Sequence, residues 1–189
     1  MCIRRSFPVC LVVTALAGAA VACDTTGLPP PTIANVEDTI SLYALDGTPL
    51  SQPSGFNIPT RTVLRTDRSA LIDFAFNITA TGQAVLLPTG ALQLGRASGI
   101  LPLSVPFESV KTAPNAGYTD TTSVAVDSGT VAVVRSRPSS CGTFFSTTIH
   151  FYGKVQVLQI DTVARRIDLR VLVDQNCGYR DLEPGLPRQ

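Results

Sequence analysis

From Arg166 to Asp174 the chain alternates in hydrophobicity with period two, and this pattern limits it most. Ile167, Leu169, Val171 and Val173 fall on one side, while Arg166, Asp168, Arg170 and Asp174 fall on the other, with Leu172 the one apolar exception. The pattern repeats from Ala70 to Ile78, where Ala70, Ile72, Phe74, Phe76 and Ile78 share a face and Asp73 and Asn77 point away. Successive side chains of a strand point to opposite faces, so each stretch predicts a strand with one face on a core and one in water. No stretch sustains a 3.6-residue apolar period. Further strands are expected at residues 39–45, 61–65, 83–87, 123–126, 130–137, 143–152 and 154–160. Turn signals stand at Asp46-Gly47, Thr89-Gly90, Pro114-Asn115-Ala116-Gly117 and Asp127-Ser128-Gly129. Asp161 opens an expected five-residue hairpin loop ending at Arg165. The expectation is an all-β fold, an antiparallel β-sandwich or an open barrel.

The first 22 residues read differently. Arg4 and Arg5 precede an apolar run from Phe7 to Ala22, which ends in Ala20-Val21-Ala22 directly before Cys23. Sixteen residues fall short of the roughly 20 needed to span a bilayer as a helix. A cleaved signal peptide over 1–22 is therefore expected, and the small triplet before a cysteine resembles a bacterial lipobox with Cys23 as the lipidated residue. The segment from Asp24 to Pro31 is polar and then proline-rich, which suits a tether over 23–35, with one domain over 36–189. These features place the protein in a bacterial cell envelope, anchored to a membrane through Cys23. Asp24 resembles an inner-membrane retention signal, and the sequence leaves the choice between inner and outer membrane open.

Cysteine accounting agrees. Cys2 and Cys10 leave with the signal, Cys23 carries lipid, and Cys141 and Cys177 are left to form one disulfide in an oxidising compartment. Loss of Arg4 and Arg5 leaves thirteen basic against fourteen acidic side chains. That balance has none of the basic surface a nucleic-acid binder needs, so no nucleic-acid partner is expected. The sequence contains no H-E-x-x-H, P-loop, G-x-G-x-x-G or G-x-S-x-G motif. The one histidine, His150, reads as a solvated strand residue, and no enzymatic activity is expected. Arg135 and Arg137 alternate on one expected strand and could grip a carboxylate or phosphate together. The expected role is that of an envelope protein whose β-domain binds a protein partner or serves as a structural module.

One resemblance bears on function. Asp73-Phe74-Ala75-Phe76, Phe107-Glu108-Ser109-Val110, Gly117-Tyr118, Gly129 to Arg135, and Tyr152 to Val157 occur in an order that resembles HmuY-like lipoproteins. Those are all-β proteins of the surface or periplasm that capture haem, and the resemblance spans roughly residues 70–175. It implies a flat apolar ligand between two sheets, with His150, Tyr152, Arg135 and Arg137 as the converging polar groups. The sequence departs from the family at Ile72, where a tryptophan is usual. It also departs at the axial ligands: with one histidine, and with Met1 removed, bis-histidine ligation within one chain is impossible. No bound cofactor is therefore expected.

Overall fold

The computed structural model describes residues 28–140 and 149–188. Among them are ten strands: β1 (Glu37–Tyr43), β2 (Gly55–Asn57), β3 (Thr62–Leu64), β4 (Phe74–Ile78), β5 (Ala84–Pro88), β6 (Gly99–Leu103), β7 (Val124–Ala125), β8 (Val131–Arg135), β9 (Tyr152–Asp161) and β10 (Arg166–Asp174). They form two antiparallel sheets, ordered β1-β10-β9-β8-β6 and β3-β2-β4-β5-β7, and neither closes into a barrel. The two sheets share one core. Phe56, Phe74, Phe76 and Leu86 of the second sheet meet Leu42, Val134, Val155, Ile167 and Leu169 of the first. At roughly 25 cal/mol per Å² of buried apolar surface, these large side chains dominate the stability of the fold.

The β9–β10 hairpin forms as the sequence predicts. Asp161 Oδ1 accepts the N–H groups of Val163 and Ala164 at 2.9 and 2.8 Å, and Arg165 takes a left-handed φ of 51°. Arg165 then reaches across to the second sheet, donating from Nε to the Asp46 carbonyl and from Nη2 to the Ile78 carbonyl, both at 2.7 Å. Gly47 makes room for it. With φ at 75°, a Cβ there would stand 2.8 Å from Arg165 Nε.

Two strands, β2 and β6, have no counterpart among the expected ones. β2 has only three residues, too few to alternate, and β6 contains Pro102, which lies on a sheet edge where its missing N–H costs least. Of the strand expected at 143–152, the stretch to residue 148 lies outside the described residues. Ile149 makes an isolated bridge with Ser139, and Tyr152 begins β9.

The largest correction concerns the wet faces. Asp174, expected in solvent as a partner for the arginines of β10, is fully buried, as is Asp73. The outer face of the larger sheet carries a second apolar layer of Phe107, Val110, Val131, Val133, Leu172 and Leu182. It is laid down by the loop after β6, whose residues 107–109 make one 3-10 turn, and by the C-terminal segment. Ala113 N–H bonds the Arg180 carbonyl at 2.8 Å and Leu182 N–H bonds the Lys111 carbonyl at 2.7 Å, so the two segments hold each other on the sheet. The β1 end of that face stays wet. There Arg166 pairs with Asp168 at 3.1 Å, and Arg170 pairs with Glu37 and Glu108 at 2.7 and 2.6 Å.

Candidate functional site

Tyr152 and Arg135 are direct partners across β9 and β8, and both side chains stand on the outer face of the larger sheet. The turn predicted at Pro114-Asn115-Ala116-Gly117 swings the chain back over them. Gly117 adopts φ of 93°, the Tyr118 hydroxyl donates to the Pro114 carbonyl at 2.9 Å, and Thr119 exchanges two backbone hydrogen bonds of 2.9 Å with Ile100. Tyr118 thus lies beside Tyr152, with ring centroids 6.3 Å apart. Arg135 stacks over Tyr118 at 5.0 Å, and Arg180 stacks over Tyr152 at 5.8 Å while bonding Asn115. Burial, more than any neighbouring charge, holds the Tyr118 phenol above its usual range, so it stays neutral at physiological pH.

The residues Arg135, Tyr118, Tyr152 and Arg180 are half-buried, and Arg180 lines a cleft of about 460 Å³ together with Thr112, Tyr179, Asp181, Glu183 and Arg188. Among the described residues, Arg135 and Arg180 have no carboxylate within 4 Å, as is also true of Arg68 and of Arg165, which donates to backbone carbonyls, whereas Arg61, Arg65, Arg96, Arg137, Arg166, Arg170 and Arg188 each have one. The Nε atoms of Arg135 and Arg180 are buried without a hydrogen-bond partner.

Of the four groups expected to converge, only Tyr152 and Arg135 do. Arg137 lies beyond the end of β8, with its backbone N–H and Nε on Asp73 Oδ1 at 2.8 and 3.2 Å. It cannot join Arg135 in gripping an anion. His150 Nδ1 lies 2.7 Å from the Ser136 carbonyl, and the ring is half-buried rather than solvated. The space between the sheets is filled by Phe56, Phe74 and Phe76, each fully buried. Cys23 and Cys141 lie outside the described residues, and Cys177 follows β10. Tyr118 and Arg180 were not singled out from the sequence. No local signal links them to Tyr152, because the pairing of two aperiodic segments brings them together.

Behind this face lies a buried polar latch. Asp174 Oδ1 accepts the N–H and the side-chain amide of Asn176 at 2.8 and 2.9 Å. Asn176 Oδ1 in turn accepts the N–H groups of Thr32 and Ile33 at 2.8 and 3.0 Å. Asp174 Oδ2 has no partner. Burial pushes the Asp174 carboxyl up to about 6, with Asp181 adding a smaller push and the Asn176 hydrogen bonds opposing it. A carboxyl whose folded pKa exceeds its unfolded value binds more protons folded, so stability falls as pH rises from about 4 through about 6. Asp174→Asn keeps the accepting oxygen and removes the charge. The variant is expected to gain on the wild type by on the order of 2 kcal/mol between those limits. Urea unfolding of both proteins at about pH 4 and about pH 7, on either side of that window, measures the gap, and a gap independent of pH would contradict the assignment.

Compared with known family models and with curated protein sequences, the chain matches none. Among the described residues, no helix is long and apolar enough to cross a membrane, and no group of three or more His, Cys, Asp or Glu side chains is placed to hold a metal ion.

Proposed function

We propose that the protein is a cell-envelope lipoprotein, anchored to a membrane through a lipidated Cys23, whose β-domain is a non-enzymatic binding module. The observation that carries the anchor is the run from Arg4 through Ala20-Val21-Ala22 to Cys23, a basic, then apolar, then small-residue order ending on cysteine. The binding role is supported by the half-buried arginine–tyrosine row on the outer face, whose two guanidinium groups lack carboxylate partners within the described domain.

The root of the domain suits a short tether. The Tyr179 hydroxyl donates to the Pro29 carbonyl at 3.0 Å, and Asn35 exchanges backbone hydrogen bonds with Gly185. The chain is therefore fixed to the body from Pro29, six positions after Cys23. At roughly 3.5 Å per residue, that separation spans about 20 Å at most, which keeps the domain close to the membrane surface.

The proposal includes a Cys141–Cys177 disulfide. It is supported by the flanks of the pair: Ser139 bridges Ile149, and an Ile149 methyl lies 3.6 Å from where a Cβ on Gly178 would stand. Ile149, after residue 141, thus approaches the neighbour of Cys177, and Ser139, before it, is tied to Ile149. Closing the loop from Cys141 to Cys177 contributes roughly 4 kcal/mol on the chain-entropy model.

Fractionation of cells tests the anchor. Wild-type protein is expected in the membrane fraction, resistant to salt and carbonate extraction. Cys23→Ser is expected to leave it, or to accumulate as an uncleaved precursor. Wild-type protein recovered in the soluble fraction would refute the reading.

A further inference from the structure

Three arginines over the outer face of the larger sheet stack on aromatic rings but differ in their partners. Arg170 lies 4.2 Å from the Phe107 ring centroid and is clamped by Glu37 and Glu108. Arg135 lies 5.0 Å from the Tyr118 centroid, and Arg180 is 5.8 Å from Tyr152, with no carboxylate on either among the described residues. The nearby acids are engaged elsewhere apart from the buried Asp174 Oδ2, and Glu183 pairs with Lys111 and Arg188. Asp174 holds Asn176, and Asp181 accepts the backbone N–H groups of Glu183 and Arg188 at 2.9 and 2.8 Å. Tyr118 and Tyr152 offer neutral rings and no charge.

A half-buried guanidinium that has lost part of its hydration without gaining a counter-charge gains most from an added anion. Stacking also fixes the plane of the group, so its N–H fork is oriented in advance for paired oxygens. We infer that Arg135 and Arg180, flanking the Tyr118–Tyr152 pair, form a binding site for an oxyanion, a phosphate or carboxylate group carried by the partner. The inference rests on the binding role proposed above and gives that partner its chemistry. The site supplies from outside what Glu37 and Glu108 supply to Arg170 from within.

The experiment follows the arginine Nε–Hε resonances of the acylated, full-length mature protein in neutral detergent by nitrogen-15 NMR, during titration with inorganic phosphate at constant ionic strength. Saturable shifts are expected at Arg135 and Arg180, without change at Arg170. Arg135→Gln is expected to weaken the response of Arg180 roughly tenfold, the worth of one charge-assisted hydrogen bond. Because a glutamine there could disturb the fold, Arg135→Lys is measured beside it and is expected to bind more tightly than the glutamine variant. A parallel arm replaces phosphate with vesicles of phosphatidylglycerol or phosphatidylcholine. A response to free phosphate assigns a soluble oxyanion, and one confined to phosphatidylglycerol assigns a lipid headgroup. No saturable shift in either arm overturns the inference, and so does a shift that Arg170 shares. The anchor is read separately, since loss of the oxyanion response leaves membrane attachment through Cys23 unaffected.

Discussion

Asp73→Ala is expected to cost about 3 kcal/mol and to lower the melting temperature by about 6–12 °C for a domain of this size. The carboxylate is fully buried at the end where the two sheets meet. Its Oδ2 accepts the Ile58 N–H at 2.7 Å, and its Oδ1 accepts the backbone and Nε N–H groups of Arg137. The Asp73 carbonyl also accepts the Ser98 hydroxyl at 2.5 Å, so residues from both sheets converge on this one position. Burial raises the carboxyl's pKa despite those three hydrogen bonds and the positive charge of Arg137, so the charge itself is expensive here. Truncation is costly for a different reason. It leaves the Ile58 N–H without an acceptor and Arg137 without its partner. Thermal unfolding followed by circular dichroism measures the effect, and a change below about 1 kcal/mol would mean that the donors find other acceptors.

Lys154→Ala is expected to be of similar size, about 3–4 kcal/mol. Lys154 is 2 % exposed, on the outer side of β9. Its ammonium donates to the carbonyls of Phe107 and Val110, both at 3.0 Å, and lies 4.3 Å from the Phe107 ring centroid. Those carbonyls belong to the first residue of the 3-10 turn and to the residue that follows it, so the lysine ties the cover to the sheet. Burial, ahead of any neighbouring charge, lowers its pKa. Alanine removes the two donors and leaves a cavity, whereas Lys154→Met refills the volume and is expected to recover about half of the loss. Equal losses in the two variants would mean that packing contributes nothing and the ammonium everything.

These two residues show what the sequence discloses. The alternation along β10 identified which residues share a face, and it placed Ile167 to Val173 in the core correctly. It could not disclose that the other face is covered as well, because the cover comes from residues 104–123 and 175–188, which have no period. That cover takes Asp174 out of water although the pattern is itself sound, whereas Asp73 is buried for another reason, by Ile58, Arg137 and Ser98 where the sheets meet. The binding face was half legible. Arg135 and Tyr152 lie on strands that alternate visibly, while Tyr118 and Arg180 arrive on the aperiodic segments. Arg137 fails for a simpler reason: β8 ends at Arg135, and the two-residue periodicity ends with it.

The most direct test of the central claim is the mass of the amino-terminal peptide of the protein purified from envelopes of its host. A peptide beginning at Cys23 is expected, heavier than its sequence by a diacylglyceryl group with or without an additional acyl chain. The same digest, left unreduced, is predicted to link the peptides containing Cys141 and Cys177. A peptide that begins at Cys23 with a free thiol, or that retains residues preceding it, would contradict the claim.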